Sequence, residues 1–184
     1  MDWSDILKVM LGAGIGTAIV EGGISLFQFM KTGRSQGAFL AFRLAVQLEG
    51  YARGCLSHMH DTKNYMSSKG NVGRLHCYLP PFPDFPDDPE GWRNVSPQIL
   101  DMAFRLKVDA EGINSGLDFW VKELGEVENA FDDCYTGCGK MGLAALGASK
   151  SFRQFYGFKE YPDDTKEQLE ECLGSPPKAF YSMD

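Results

Sequence analysis

The chain is poor in the residues that usually announce a chemistry. It has only three histidines among 184 residues. No cluster of lysine and arginine occurs, and the formal net charge is -7 with a pI near 5.0. Phosphate binding needs concentrated positive charge, so nucleic acid is excluded as the main partner. Proline is missing from the whole stretch between Gln98 and Tyr161, so nothing there forbids long helix. The cysteines number five, an odd count in a chain that is not small, and no cleavable secretory signal is evident. That excludes a disulfide framework and points to free thiols in a reducing compartment. The one glycine-rich stretch that brushes against a phosphate loop, LGAGIG, lies inside an apolar run with no strand before it. A dinucleotide fingerprint needs that strand, and no cofactor is expected.

What the chain does have is apolar periodicity. Ile113, Leu117, Trp120, Leu124, Val127, Phe131, Cys134, Cys138, Met141, Ala145, Ala148, Phe152 and Phe155 follow one another at alternating steps of four and three. This is a heptad seam, and it must lie against another helix because a one-sided apolar helix is unstable alone in water. It predicts one long element over 110–156, bent at Tyr135–Gly139, where two glycines sit close together. Cys134 and Cys138 fall on the seam, where a reduced cysteine packs as a small apolar residue. Residues 36–62 predict a partner helix, with Ala41, Leu44, Leu48, Tyr51, Cys55 and Met59 on one face.

Between these helices lies LHCYLPPFPDFPDDP. Its prolines exclude helix and impose extended backbone. Tyr78, Leu79, Phe82 and Phe85 are suited to pin this strap onto the chain's own helices, although its P-x-x-P triplets also match grooves that read polyproline. Ser96-Pro97 reads as the start of a third helix over 96–106, with serine as N-cap and proline at the first helical position. A break is expected at 107–112. Asp163 or Asp164 can cap a short helix that ends near Leu173, before Gly174 and Pro176-Pro177.

The N-terminal run from Val9 to Met30 carries one charge, Glu21. As helix it is roughly 33 Å long, enough to cross a bilayer. Gly12 and Gly16 form a small-xxx-small pair that lets two such helices approach. Glu21 at mid-span costs ~3 kcal/mol and must face a partner helix rather than lipid. The basic flank Lys31, Arg34 and Arg43 puts the C-terminal domain in the cytoplasm and the single span in the inner membrane. The alternative is a cytoplasmic oligomer in which this helix, with a weak polar stripe at Thr17, Glu21, Ser25 and Gln28, packs between subunits.

Candidate chemistry is thin. His58, His60 and Asp61, followed by His76, offer imidazole and carboxylate ligands for zinc or iron, with Cys77 nearby. Residues two apart on a helix point about 200° apart, so His58 and His60 share a metal only where the helix has ended. Cys77 with His76 or His58 is the one thiol–imidazole combination that suggests a nucleophile and base. The neighbouring carboxylates Asp87–Asp88 and Asp132–Asp133 define no cleft.

The combination of an N-terminal apolar helix, AFLAFRLAVQLEGYARGC, LPPFPDFP and GLAALGASKSFRQFYGF resembles small bacterial helical proteins, some from mobile or prophage-like regions. The likeness covers residues 1–158 and implies a helical bundle with no assigned activity. The chain thus reads as mainly α: an N-terminal membrane-type helix over 1–31, an elongated bundle over 36–158 crossed by an extended proline strap, and a short helix and tail over 159–184. The expected role is that of a membrane-tethered, self-associating interaction or assembly protein and not an enzyme, with Gly12, Gly16 and Glu21 as interaction residues. The alternatives are the soluble oligomer and a metal-dependent enzyme using His58, His60, Asp61 and His76.

Overall fold

A computed structural model describes the backbone of residues 15–160 and 164–177, and side chains from residue 35 onward within those limits. All regular structure among the described residues is helical. The elements are α1 (Ile15–Ser67), α2 (Pro89–Asn94), α3 (Pro97–Phe119), a single π-helical turn (Trp120–Leu124), α4 (Val127–Tyr156) and α5 (Thr165–Gly174).

α1 is 53 residues long, about 80 Å at the rise of an α-helix. Its inner face carries Leu40, Ala41, Leu44, Ala45, Leu48, Ala52, Cys55, Leu56 and Met59, all buried. The steps of three and four put these on one stripe, as the sequence predicts. The N-terminal helix over 1–31 and the helix over 36–62, read as separate elements with KTGRSQG between them, are joined, because α1 runs through that segment without a break. The reason is packing. A Cβ on Gly37 would fall on the backbone carbonyl of Asn94, at the end of α2. Glycine here lets two backbones meet.

α1 ends at a left-handed turn. Lys69 and Gly70 take positive φ, and Gly70 N donates to Tyr65 O at 2.8 Å, which satisfies a terminal carbonyl. Gly73, with φ of 82°, then folds the chain back so tightly that a Cβ would land on the Asp61 carbonyl.

The proline strap lies on its own helices, as its aromatic residues suggest. Leu79 and Pro80 are buried. Leu79 N donates to Asn114 Oδ1 at 2.8 Å, and Gln47 Nε2 donates to Asp84 O at 3.1 Å. Phe82 packs on Tyr51 with ring centroids 5.0 Å apart. Phe85 meets both Trp92 and Phe104 edge to face. One helix was not expected: α2, where Asp88 Oδ1 accepts from Gly91 N at 2.9 Å and Pro89 stands at the first turn. The D-x-x-G cap after a proline is its only sequence signal.

Ser96 caps α3 as predicted, accepting from Gln98 N. The expected break at 107–112 is absent, because Leu106 and Ala110 continue the buried face. The break falls instead at Gly125, which adopts φ of 67°. The long element over 110–156 is therefore two helices. They form an antiparallel hairpin: Trp120 Nε1 donates to Asp133 Oδ2 at the closed end, and Ser96 N donates to Tyr156 Oη at the open end. The two seam residues at the turn, Leu124 and Val127, are 49% and 39% exposed, so the seam lapses where the chain reverses. α4 is continuous through Tyr135–Gly139. Gly137 faces Ile113 and Leu79, and Gly139 faces Leu173, so these glycines serve contact rather than bending.

α4 packs along α1, and α5 closes the bundle with Leu169 and Cys172 buried and Tyr135 Oη donating to Cys172 O at 2.8 Å. The short helix lies where the sequence places it, but Asp164 makes no side-chain cap. Among the described residues no helix is long and apolar enough to cross a membrane.

Gly73 and Gly125 separate two penalties. Both have positive φ, but only Gly73 is crowded. Gly125→Ala should cost about 1 kcal/mol of stability and Gly73→Ala clearly more, measured as urea unfolding midpoints at constant slope.

Candidate functional site

The inner faces of α1 and α4 meet at a layer of thiols and imidazoles. Cys55 comes from α1, and Cys134 and Cys138 from successive turns of α4; all three are buried. The Cys138 thiol neighbours Cys134 and Cys55, and Tyr51 lies beside Cys55. Cys134 also meets the imidazole of His58. The His58 ring stacks on His76 at 3.7 Å with 8° between planes. His76 Nε2 lies 3.1 Å from Asp61 Oδ2. The layer thus runs from a half-exposed carboxylate through two rings into a buried row of sulfurs.

Local structure explains how this forms. Tyr51, Cys55 and His58 recur at four and three along α1, so one stripe carries them. Gly73 turns the strap so that His76 returns over His58. His60, two residues from His58, is exposed, as helical geometry requires. Of the four residues considered for a metal, the fold assembles His58, Asp61 and His76 and separates His60. Among the described residues no group of three or more His, Cys, Asp or Glu side chains is arranged to hold a metal ion. Cys77, considered as a nucleophile, sits half-buried on the strap with its thiol pushed up by burial. The thiol set against an imidazole is Cys134 instead. Gly12 lies outside the described residues, and for Gly16 and Glu21 only the helical backbone is described.

The electrostatics of the layer follow from its contacts. Hydrogen bonding from Cys138, then the imidazole of His58, pull the Cys134 thiol down to about 6 against the opposing effect of burial. Cys138 moves up, because its neighbours Cys134 and Cys55 and its own burial all disfavour the thiolate. Burial likewise raises Tyr51. His76 is lowered, chiefly by desolvation, with Asp61 opposing. Tyr51 Oη and His58 Nδ1 are buried without a hydrogen-bond partner.

A second polar centre was not anticipated. Glu49 on α1 accepts from Arg153 Nε at 2.7 Å, from Arg153 Nη2 at 3.0 Å and from Ser149 Oγ at 2.6 Å. Arg153 Nη1 donates to Lys159 O, and the guanidinium stands over the Phe42 ring. These side chains edge a cleft of about 280 Å³ that also includes Lys150, Glu160 and Lys166. Lys150 pairs with Glu160 at 3.4 Å, so the cleft presents mixed charge and focuses neither sign.

A third feature is apolar. On α1, Phe39, Phe42 and Val46 stand 59%, 38% and 42% exposed, and on α4 Phe155 is 54% exposed. Phe42 meets Phe158, Phe158 meets Tyr156, and Tyr156 meets Phe155. The four rings link the middle of α1 to the C-terminal end of α4. The acidic run of Asp118, Glu123, Glu126, Glu128 and Asp133 lies at the far end, around the Gly125 turn.

No family model, no curated protein and no solved structure matches this chain.

Two outcomes test the polar centres. Removing one partner of a buried pair strands the other charge. Glu49→Gln should therefore lower stability by about 3 kcal/mol, whereas Glu49→Leu with Arg153→Met should recover most of the loss; thermal denaturation of the three variants checks this. The His76 shift carries a sign. A histidine lowered in the folded state gives stability that is full above the unfolded value near 6.5 and is lost as pH falls toward the folded one. The melting temperature should drop between pH 7.5 and 5.5, and drop less in His76→Gln.

Proposed function

We propose that this protein is a helical assembly module that self-associates through the surface formed by Phe39, Phe42, Val46 and Phe155. The observation that carries this reading is the exposure of Phe39, Phe42 and Val46 on α1 and of Phe155 on α4, with Phe42 and Phe155 linked through the rings of Phe158 and Tyr156. Single exposed apolar residues are ordinary, but contiguous patches mark association sites.

The run from Val9 to Met30 supports a second reading, in which its single charge suits insertion in a bilayer. Gly12, Gly16 and Glu21 then face a partner helix. In both readings association runs through the N-terminal half of α1, and they part on whether detergent is needed to extract the protein.

Light scattering coupled to size exclusion tests the proposal. The full chain should elute well above the 20.4 kDa of one copy, and Phe39→Ser with Val46→Ser should shift it toward that mass without loss of helicity. A wild-type chain that stays at one copy at tens of micromolar would end this reading.

A further inference from the structure

We propose that copies of this chain associate head to tail, the acidic Gly125 corner of one copy seating on the surface of Phe39, Phe42, Val46 and Phe155 of the next. This rests on the proposed self-association and names the face of the second copy that completes it. The two segments that bear the surface, 35–46 and 150–160, hold Arg43, Lys150, Arg153 and Lys159 against Glu160 alone. Glu49 engages Arg153, and Glu160 pairs with Lys150 at 3.4 Å, so Arg43 and Lys159 leave the surface cationic. Arg43 stands over the Phe39 ring at 5.9 Å, and Arg153 over the Phe42 ring at 5.2 Å. Rings edged by cations disfavour an identical face and favour an apolar partner that carries negative charge.

The Gly125 corner has those properties. From Asp118 to Asp133 the chain holds six carboxylates against the single Lys122. Glu123, Glu126, Glu128, Asp132 and Asp133 are all exposed. Interspersed with them, Phe119, Leu124 and Val127 are exposed large apolar side chains. The dipole of α4 accounts for Glu126 and Glu128, which stand at its N-terminus. It accounts for neither Glu123 nor the exposed apolar residues. Position then sets the geometry of association. Val127 and Phe155 stand at opposite ends of α4, about 42 Å apart at the rise of an α-helix, so the corner and the ring surface of one chain cannot meet. A contact between two different faces is heterologous, and here it adds a copy at each free end instead of closing at two. Opposite charge speeds the encounter and sets its polarity, while apolar burial holds it.

The test mixes variants of the full chain and reads mass by light scattering coupled to size exclusion. The wild type should grow in mass as its concentration rises. Leu124→Ser with Val127→Ser, and separately Phe39→Ser with Val46→Ser, should each give a chain that stays at one copy. An equimolar mixture of the two should form a species of two copies and none larger, because one chain keeps its ring surface and the other its corner. Should a serine variant lose helicity, exposed charges supply a second route. Arg43→Glu, and separately Glu123→Lys with Glu126→Lys, should each weaken association about tenfold, and the two chains mixed should associate again in alternation. A corner variant that assembles like the wild type would overturn the head-to-tail contact and leave self-association through the rings standing. A mixture that stays at one copy, or association unchanged by both charge reversals, would also overturn it. A wild type that stays at one copy ends both readings.

Discussion

The close contact of α1 with α4 is the constraint on which the other elements depend. Where two helices face each other through Ala41, Ala45, Ala52 and Cys55 on one side and Gly142, Ala145 and Ala148 on the other, their backbones approach nearer than leucine-sized side chains permit. Leu40, Leu44, Leu48, Met59, Met141 and Phe152 fill the flanks. The remaining elements then need only cover edges. The strap lies along one side, α3 returns against α4, and α5 seats Leu169 beside Gly142. Replacing any of the small residues would push apart the pair that all the others straddle.

Two polar groupings are set into this contact, and they differ in kind. Glu49, Ser149 and Arg153 form a bidentate ion pair with every strong acceptor used. Burying such a pair fixes the register of the two helices more than it stabilises them, since desolvation offsets much of the attraction. The thiol–imidazole layer two turns away is only partly satisfied. Its sulfurs are weak partners, and one ring nitrogen and one phenol lack a conventional bond. The first grouping holds alignment, and the second keeps groups able to change their protonation.

Much of the fold was legible in the sequence because it rests on period. The core face of α1, the capped start of α3, the strap and the short closing helix all follow from apolar spacing and proline chemistry. The reversal at Gly125 was not. A heptad phase can persist across a hairpin when both arms present the same stripe, so the spacing of Leu124 and Val127 looked continuous although a left-handed glycine lay between them. Tyr135–Gly139 drew attention as a weak point for its composition, yet those glycines are consumed by contact with Leu79 and Leu173. Nothing in the sequence singles out Glu49 and Arg153 as a pair, because 104 positions separate them and no local rule joins them. The thiol layer was half legible. Cys134 and Cys138 announced burial, and helical geometry separated His58 from His60. What brought His76 over His58 was the Gly73 turn, a long-range closure that no spacing encodes.

The Gly125 turn has a practical corollary. Its neighbours from Lys122 to Asn129 are all exposed, and nothing approaches a Cβ built on the glycine. Chain connectivity is therefore carried there by backbone alone, with no core to disturb. A fluorescent reporter or an affinity peptide spliced at this corner would leave both arms of the hairpin in register, because the buried contacts between them lie away from the turn.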